Sequence, residues 1–153
     1  MKSIMFLLAA IAALAACNTT PVERITYARG PCLGTCPVYS VTVFSVGRGV
    51  FRGEQHTAVI GTRNFQVTPA QFDRFVAHLA PVRPRTGTVS FNSPAHCTSF
   101  FLDADSATVT WRGTDGQQQQ LIYSYGCRFA GSDALAKRLT DAPTLLPIDA
   151  FIH

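Results

Sequence analysis

Cysteines are the residues of this chain best suited to do chemistry, and there are five of them. Cys32 and Cys36 lie in Gly30-Pro31-Cys32-Leu33-Gly34-Thr35-Cys36-Pro37. Cys97 follows His96, Cys127 follows Gly126, and Cys17 closes an apolar N-terminal run. Three chemistries suit such a set. Cys32 and Cys36 can close a small disulfide ring, with Gly34 supplying the backbone freedom so tight a ring needs. They can act instead as soft thiolate ligands with His96 or Cys97 as a third, a donor set that selects Cu(I) or Zn. They can exchange electrons as a dithiol. Exchange motifs usually place two residues between the cysteines, at a helix N-terminus that lowers the thiol pKa. Here three intervene, and Pro37 leads into a strand. Of the four histidines, His56, His78 and His153 occupy surface or helix positions, and only His96 stands beside a cysteine.

Other catalytic arrangements have less behind them. Ser93 and His96 are close in sequence, but no nucleophile-elbow glycines surround a serine. Asp103 and Asp105 would make a paired carboxylate, yet Leu-Asp-Ala-Asp-Ser before a strand reads as a turn. Gly30 and Gly34 do not precede a helix, so no phosphate-cradling loop is present. No catalysis is evident.

The N-terminus fixes the compartment. Lys2 supplies one positive charge, and Ile4 to Ala16 is apolar without a break. The pattern is that of an export signal, too short to span a bilayer comfortably. It ends in Leu14-Ala15-Ala16-Cys17, which resembles the bacterial lipobox at all four positions. The resemblance implies cleavage after residue 16 and lipidation, palmitate included, of the Cys17 thiol. A lipid would anchor a domain that has no membrane helix of its own. Asn18 rather than Asp follows the cysteine, so the outer membrane, facing the periplasm, is the expected location. Residues 1–16 are read as signal peptide, 17–23 as tether and 24–153 as one domain.

Loss of Lys2 takes the 13 basic residues to 12 against 9 acidic ones, a net charge of +3. So small a charge does not point to nucleic acid, and no basic stretch is interleaved with aromatics. The expected partners are the membrane, through the anchor, and an envelope protein. The remaining chain of about 137 residues can bury roughly two-thirds of its unfolded surface and so needs neither metal nor disulfide for a core. An exported compartment is oxidising, and the four internal cysteines allow three pairings. Proximity favours Cys32–Cys36, and a shared half of the sequence favours Cys97–Cys127. Counted as loop-closure entropy, the longer ring stabilises by roughly 3–4 kcal/mol and the shorter by about 2 kcal/mol.

The segment from Gly30 to Tyr39 has the form Gly-x-Cys-x-Gly-x-Cys-Pro-x-Tyr, preceded by Ile25-x-Tyr27-x-Arg29. It resembles the signature of a bacterial family of secreted and lipoprotein domains of unknown function. The likeness runs over about residues 24–140 and is close over 24–54. It implies a fold class and a location, not an activity. Cys-x-x-x-Cys-Pro is also similar to the motif of exported copper-delivery proteins, but those have a thioredoxin-like frame. This chain lacks the alternating strand–helix rhythm of such a frame.

The elements that must position these residues follow from periodicity. Arg24–Arg29 reads as a strand. Val38–Val46 alternates, with Tyr39, Val41 and Val43 on one face, and returns through Gly47-Arg48-Gly49 as a hairpin. Gly61–Val67 is a further strand. Thr68-Pro69-Ala70-Gln71 is a capped helix start, and Phe72, Phe75, Val76 and Leu79 follow at helical spacing until Pro81. Gly87–Phe91, Ala107–Arg112 and Gln117–Tyr125 read as strands, and Gly131-Ser132-Asp133 opens a second helix. Leu145–His153 is a short apolar end that packs on the sheet. The expected fold is α+β, an antiparallel sheet of hairpins with two helices packed on one face. The expected function is a disulfide-stabilised binding or structural domain on a lipid anchor, with no cofactor. Its contact surface is the exposed face of the sheet, or the Cys32–Cys36 loop beside Tyr39. The alternative is a periplasmic copper or zinc protein using Cys32, Cys36 and His96.

Overall fold

The computed structural model describes residues 22–153; the signal segment and Cys17 lie outside the described residues. The chain opens as an antiparallel meander of β1 (Arg24–Arg29), β2 (Val38–Phe44), β3 (Arg48–Gln55) and β4 (Gly61–Gln66). Helix α1 (Pro69–Leu79) follows, then β5 (Gly87–Phe91), β6 (Ser99–Phe100), β7 (Ser106–Arg112), β8 (Gln118–Ser124) and β9 (Cys127–Arg128). Helices α2 (Ser132–Asp141) and α3 (Asp149–Ile152) complete the chain. Seven strands form one sheet in the order β4-β3-β2-β1-β7-β8-β5, and β6 and β9 make a small second sheet. The fold is α+β, as the residue pattern implies.

One pairing departs from the hairpin pattern. β5 lies parallel to β8, with Val89 opposite Leu121. The chain leaves the sheet at the β4 edge, runs through α1 and re-enters at the opposite edge. The β7–β8 hairpin then fills the place between β1 and β5. A strand reached through a helix is free to run parallel to its neighbour, whereas a tight turn forces an antiparallel partner.

Alternation decides which face is covered. Ile25 and Tyr27, Tyr39, Val41 and Val43, Phe51, Val109 and Trp111, and Leu121 and Tyr123 all point to one side and are buried. Phe72, Phe75 and Leu79 of α1, Leu139 of α2, and Leu146 and Ile148 complete the same core. Phe151 of α3 packs on Phe51, with ring centroids 5.5 Å apart, so the apolar C-terminal end does lie on the sheet. The other face is polar. Thr26 and Thr42 share a 2.9 Å hydrogen bond there, and Gln120 donates to Thr110 at 3.0 Å. All of these core residues fall within residues 22–153.

Helix α1 begins where its sequence says. The Thr68 Oγ1 accepts from the Gln71 backbone N–H, and the Gln71 side chain accepts from the Thr68 N–H, a complete capping box with Pro69 in the first turn. Thr68→Ala is expected to cost about 1 kcal/mol in urea unfolding. Phe75→Ala, which empties a fully buried site, is expected to cost about 3–5 kcal/mol. Equal losses would contradict this division between surface cap and core.

Candidate functional site

The inward face of the sheet turns polar at one end. Arg29 stands two residues beyond buried Tyr27 on β1, and Tyr125 stands two residues beyond Tyr123 of β8, so both side chains keep the core-facing phase. Asp105 precedes Ala107 of β7 by the same interval. The three meet. Arg29 is ion-paired to Asp105, with its Nε donating to Oδ2 at 2.6 Å, and its guanidinium lies 4.5 Å from the centre of the Tyr125 ring. Among the described residues its Nη1 has no acceptor. Thr140 of α2 donates to the Tyr125 hydroxyl at 3.2 Å.

A cleft of about 340 Å³ opens over this cluster. Arg29 and Tyr39 are part of its lining, Pro37 borders it on the side of the cysteine loop, and Pro143, Asp149 and Ile152 border it on the side of the C-terminal segment. Burial disfavours the Arg29 cation, but negative charge on the ionised Tyr125 and Tyr27 and on the Asp105 carboxylate outweighs it, holding the guanidinium's pKa above its ordinary value. Burial likewise pushes the Tyr39 hydroxyl up to about 12, with Arg29 opposing and Tyr125 adding to the rise. Tyr27 is raised further, by burial first and then by Tyr125 and Tyr39. Its hydroxyl is buried and has no partner among the described residues.

Beside the cleft the β1–β2 loop is closed by a Cys32–Cys36 disulfide, with Cα atoms 5.8 Å apart. Gly34 adopts φ +133° inside that ring, a conformation L side chains resist. The Leu33 N–H donates to the Asp103 carbonyl at 3.0 Å, tying this loop to the one before β7. Phe101 N–H donates to the Gly126 carbonyl at 3.0 Å. A Cβ at position 126 would collide with the Phe101 carbonyl, so only glycine permits that approach. The result is three large apolar side chains held in water: Leu33 is 83% exposed, Leu102 78% and Phe101 60%.

The second disulfide joins Cys97 to Cys127, Cα atoms 5.3 Å apart, and links the loop before β6 to β9. Tyr123 supports it from the core, donating to the Cys127 carbonyl at 3.1 Å. His96 is exposed and its ring pairs with Ser93 at 3.3 Å. The structure therefore does not bring His96 together with Cys32 and Cys36. Among the described residues no group of three His, Cys, Asp or Glu stands close enough to share a metal ion. Asp103 and Asp105 do not form a paired carboxylate; Asp105 serves Arg29, and Asp103 turns the chain at φ 65°. Tyr39 is 5% exposed and stacks on Phe51, and this buried ring also forms part of the cleft's lining. No described helix is long and apolar enough to cross a membrane.

These features define a disulfide-stapled α+β domain with a cleft at one end of its sheet. The chain belongs to a family described as a domain of unknown function, DUF6438, which matches residues 23–145. No curated protein and no solved structure matches it. Arg29, Asp105 and Tyr125 were within reach of sequence reasoning, since each extends a strand's alternation by two residues. The exposed trio was not, because loop residues carry no period.

The raised tyrosines make stability depend on pH. Tyr39 ionises near 10 when unfolded and near 12 when folded. The folded state therefore holds its proton longer, and stability present below pH 10 is lost as pH rises through 12. The unfolding free energy from urea titration is expected to hold to about pH 10 and then fall, by up to about 1.4 kcal/mol per pH unit for each such tyrosine. The fall should be shallower in a Tyr27→Phe, Tyr39→Phe variant. A flat profile across that range would contradict the burial assigned to both hydroxyls.

Proposed function

We propose that this protein is exported, anchored to the cell envelope by a lipid on Cys17, and acts as a binding domain that offers its disulfide-stapled end to an envelope protein. The observation that carries the binding role is the exposed trio Leu33, Phe101 and Leu102 on loops fixed by a disulfide and by backbone hydrogen bonds. Apolar side chains gathered in water mark interaction surfaces. Fixing the loops beforehand lowers the entropy lost on docking. The adjoining cleft, with Arg29 and Pro37 in its lining, extends the same end of the domain.

Binding suits this cleft better than acid–base chemistry. Arg29 and Asp105 neutralise each other. Tyr27 and Tyr39 keep their protons well above neutral pH, so neither is tuned for proton transfer there. The anchor rests on the Leu-Ala-Ala-Cys sequence and on the apolar run before it.

A photo-crosslinking residue at position 33 or 102 of the full-length protein in cells is expected to give a discrete protein adduct. The same residue at position 134, exposed on α2, is expected to give none. Leu102→Asp should remove the adduct formed from position 33. In parallel, the intact mass of the protein extracted from cell membranes should show a chain that starts at Cys17 and carries acyl chains there. Absence of adducts at both loop positions would refute the docking surface, and an unmodified Cys17 thiol, or a chain still carrying residues 1–16, would refute the anchor.

A further inference from the structure

The polar face of the sheet carries a basic row at the end opposite the cleft. Arg24 of β1 pairs in register with Phe44 of β2 on one side and with Arg112 of β7 on the other. Arg48 of β3 stacks its guanidinium 4.1 Å over the Phe44 ring. These residues lie out of phase with the buried Ile25, Val43 and Trp111, so they belong to the face that no helix covers. Arg24 and Arg112 are like charges directly across the ladder, an arrangement that costs stability in isolation.

Among the described residues no carboxylate relieves it. Among the described residues Arg24, Arg48 and Arg112 have no acidic partner; Arg112 bonds the neutral Gln118 at 2.7 Å. The nearby carboxylates are otherwise engaged. Glu23 stands 4.0 Å from Arg83, and Asp115 accepts from the Gln117 backbone N–H at 2.9 Å within its own turn. Residues 17–21, Cys-Asn-Thr-Thr-Pro, contain no acid either. At the same end the β2–β3 turn exposes Val46, 69% accessible.

We infer that this row, with Val46 at its rim, is a docking surface for the anionic phospholipid headgroups of a membrane. Charge complementarity names the chemistry, and the length of the tether names the place. Seven residues run from Cys17 to Arg24, so a lipid on Cys17 keeps Arg24 within about 25 Å of the bilayer. Three arginines against an anionic surface strengthen membrane binding by on the order of a hundredfold, and salt screens the gain. The inference rests on the proposed anchor only for which membrane the row meets; its test uses no lipid on the protein.

Residues 17–153 with Cys17→Ser, which retain the whole core, would be sedimented with vesicles of phosphatidylcholine alone or mixed with phosphatidylglycerol. Binding is expected to the mixed vesicles only, to fall steeply with salt, and to drop on the order of a hundredfold in R24Q/R48Q/R112Q. The charge-matched variant R63Q/R74Q/R128Q, altered at exposed arginines elsewhere, should bind like the parent. Thermal melting of both variants checks that each is folded. No preference for the mixed vesicles, or equal losses in the two variants, would overturn the inference. An acylated Cys17 in the protein extracted from cells, together with this vesicle binding, would support both the anchor and the row, whereas vesicle binding with an unmodified Cys17 would remove the anchor and leave the row standing.

Discussion

Strand β1 is the constraint on which the rest of this structure depends. It is paired along all six of its residues with β2 on one side and with β7 on the other. The meander β2–β3–β4 and the group β7–β8–β5 have no other ladder between them. The first is contiguous in sequence and forms by local turns. The second must find β1 across about 80 residues of chain, a closure whose entropy only burial can offset. Ile25 and Tyr27 on β1, packed with Val109 and Trp111, supply that burial.

The two ends of β1 face different tasks. At its C-terminal end the core-facing phase runs out into Arg29, where the ion pair with Asp105 and the Tyr125 ring close the core without apolar cover. The cysteine loop begins immediately afterwards, closed by the Cys32–Cys36 disulfide. At its N-terminal end the outward phase puts Arg24 into a row with Arg48 and Arg112. A six-residue strand is about 20 Å long. On the proposed reading that length separates a membrane-facing end from a partner-facing end.

Local chemistry was legible in the sequence and distant pairing was not. Thr68-Pro69-Ala70-Gln71 announces a capped helix because its hydrogen bonds close within four residues. The β2–β3 hairpin is equally local. The parallel placement of β5 left no trace, since it depends on where α1 delivers the chain and on the β7–β8 hairpin arriving later. The ion pair of Arg29 with Asp105 spans 76 positions, and the Leu33–Asp103 hydrogen bond spans a similar stretch. Tyr39 illustrates the difference: alternation put it on the core side of β2, and only the three-dimensional arrangement shows that this buried ring also forms part of the cleft's lining.

A membrane-facing end and a partner-facing end require one orientation of the domain on the bilayer. The direct measurement is quenching of a fluorescent amino acid at position 46 or position 33 by a quencher carried on lipid, in the lipidated protein bound to anionic vesicles. Strong quenching at 46 with little at 33 is the expected result, because the strand's length separates the two ends. Equal quenching at both positions, or quenching at 33 alone, would contradict a domain that meets the membrane at its arginine row and turns its disulfide loop away.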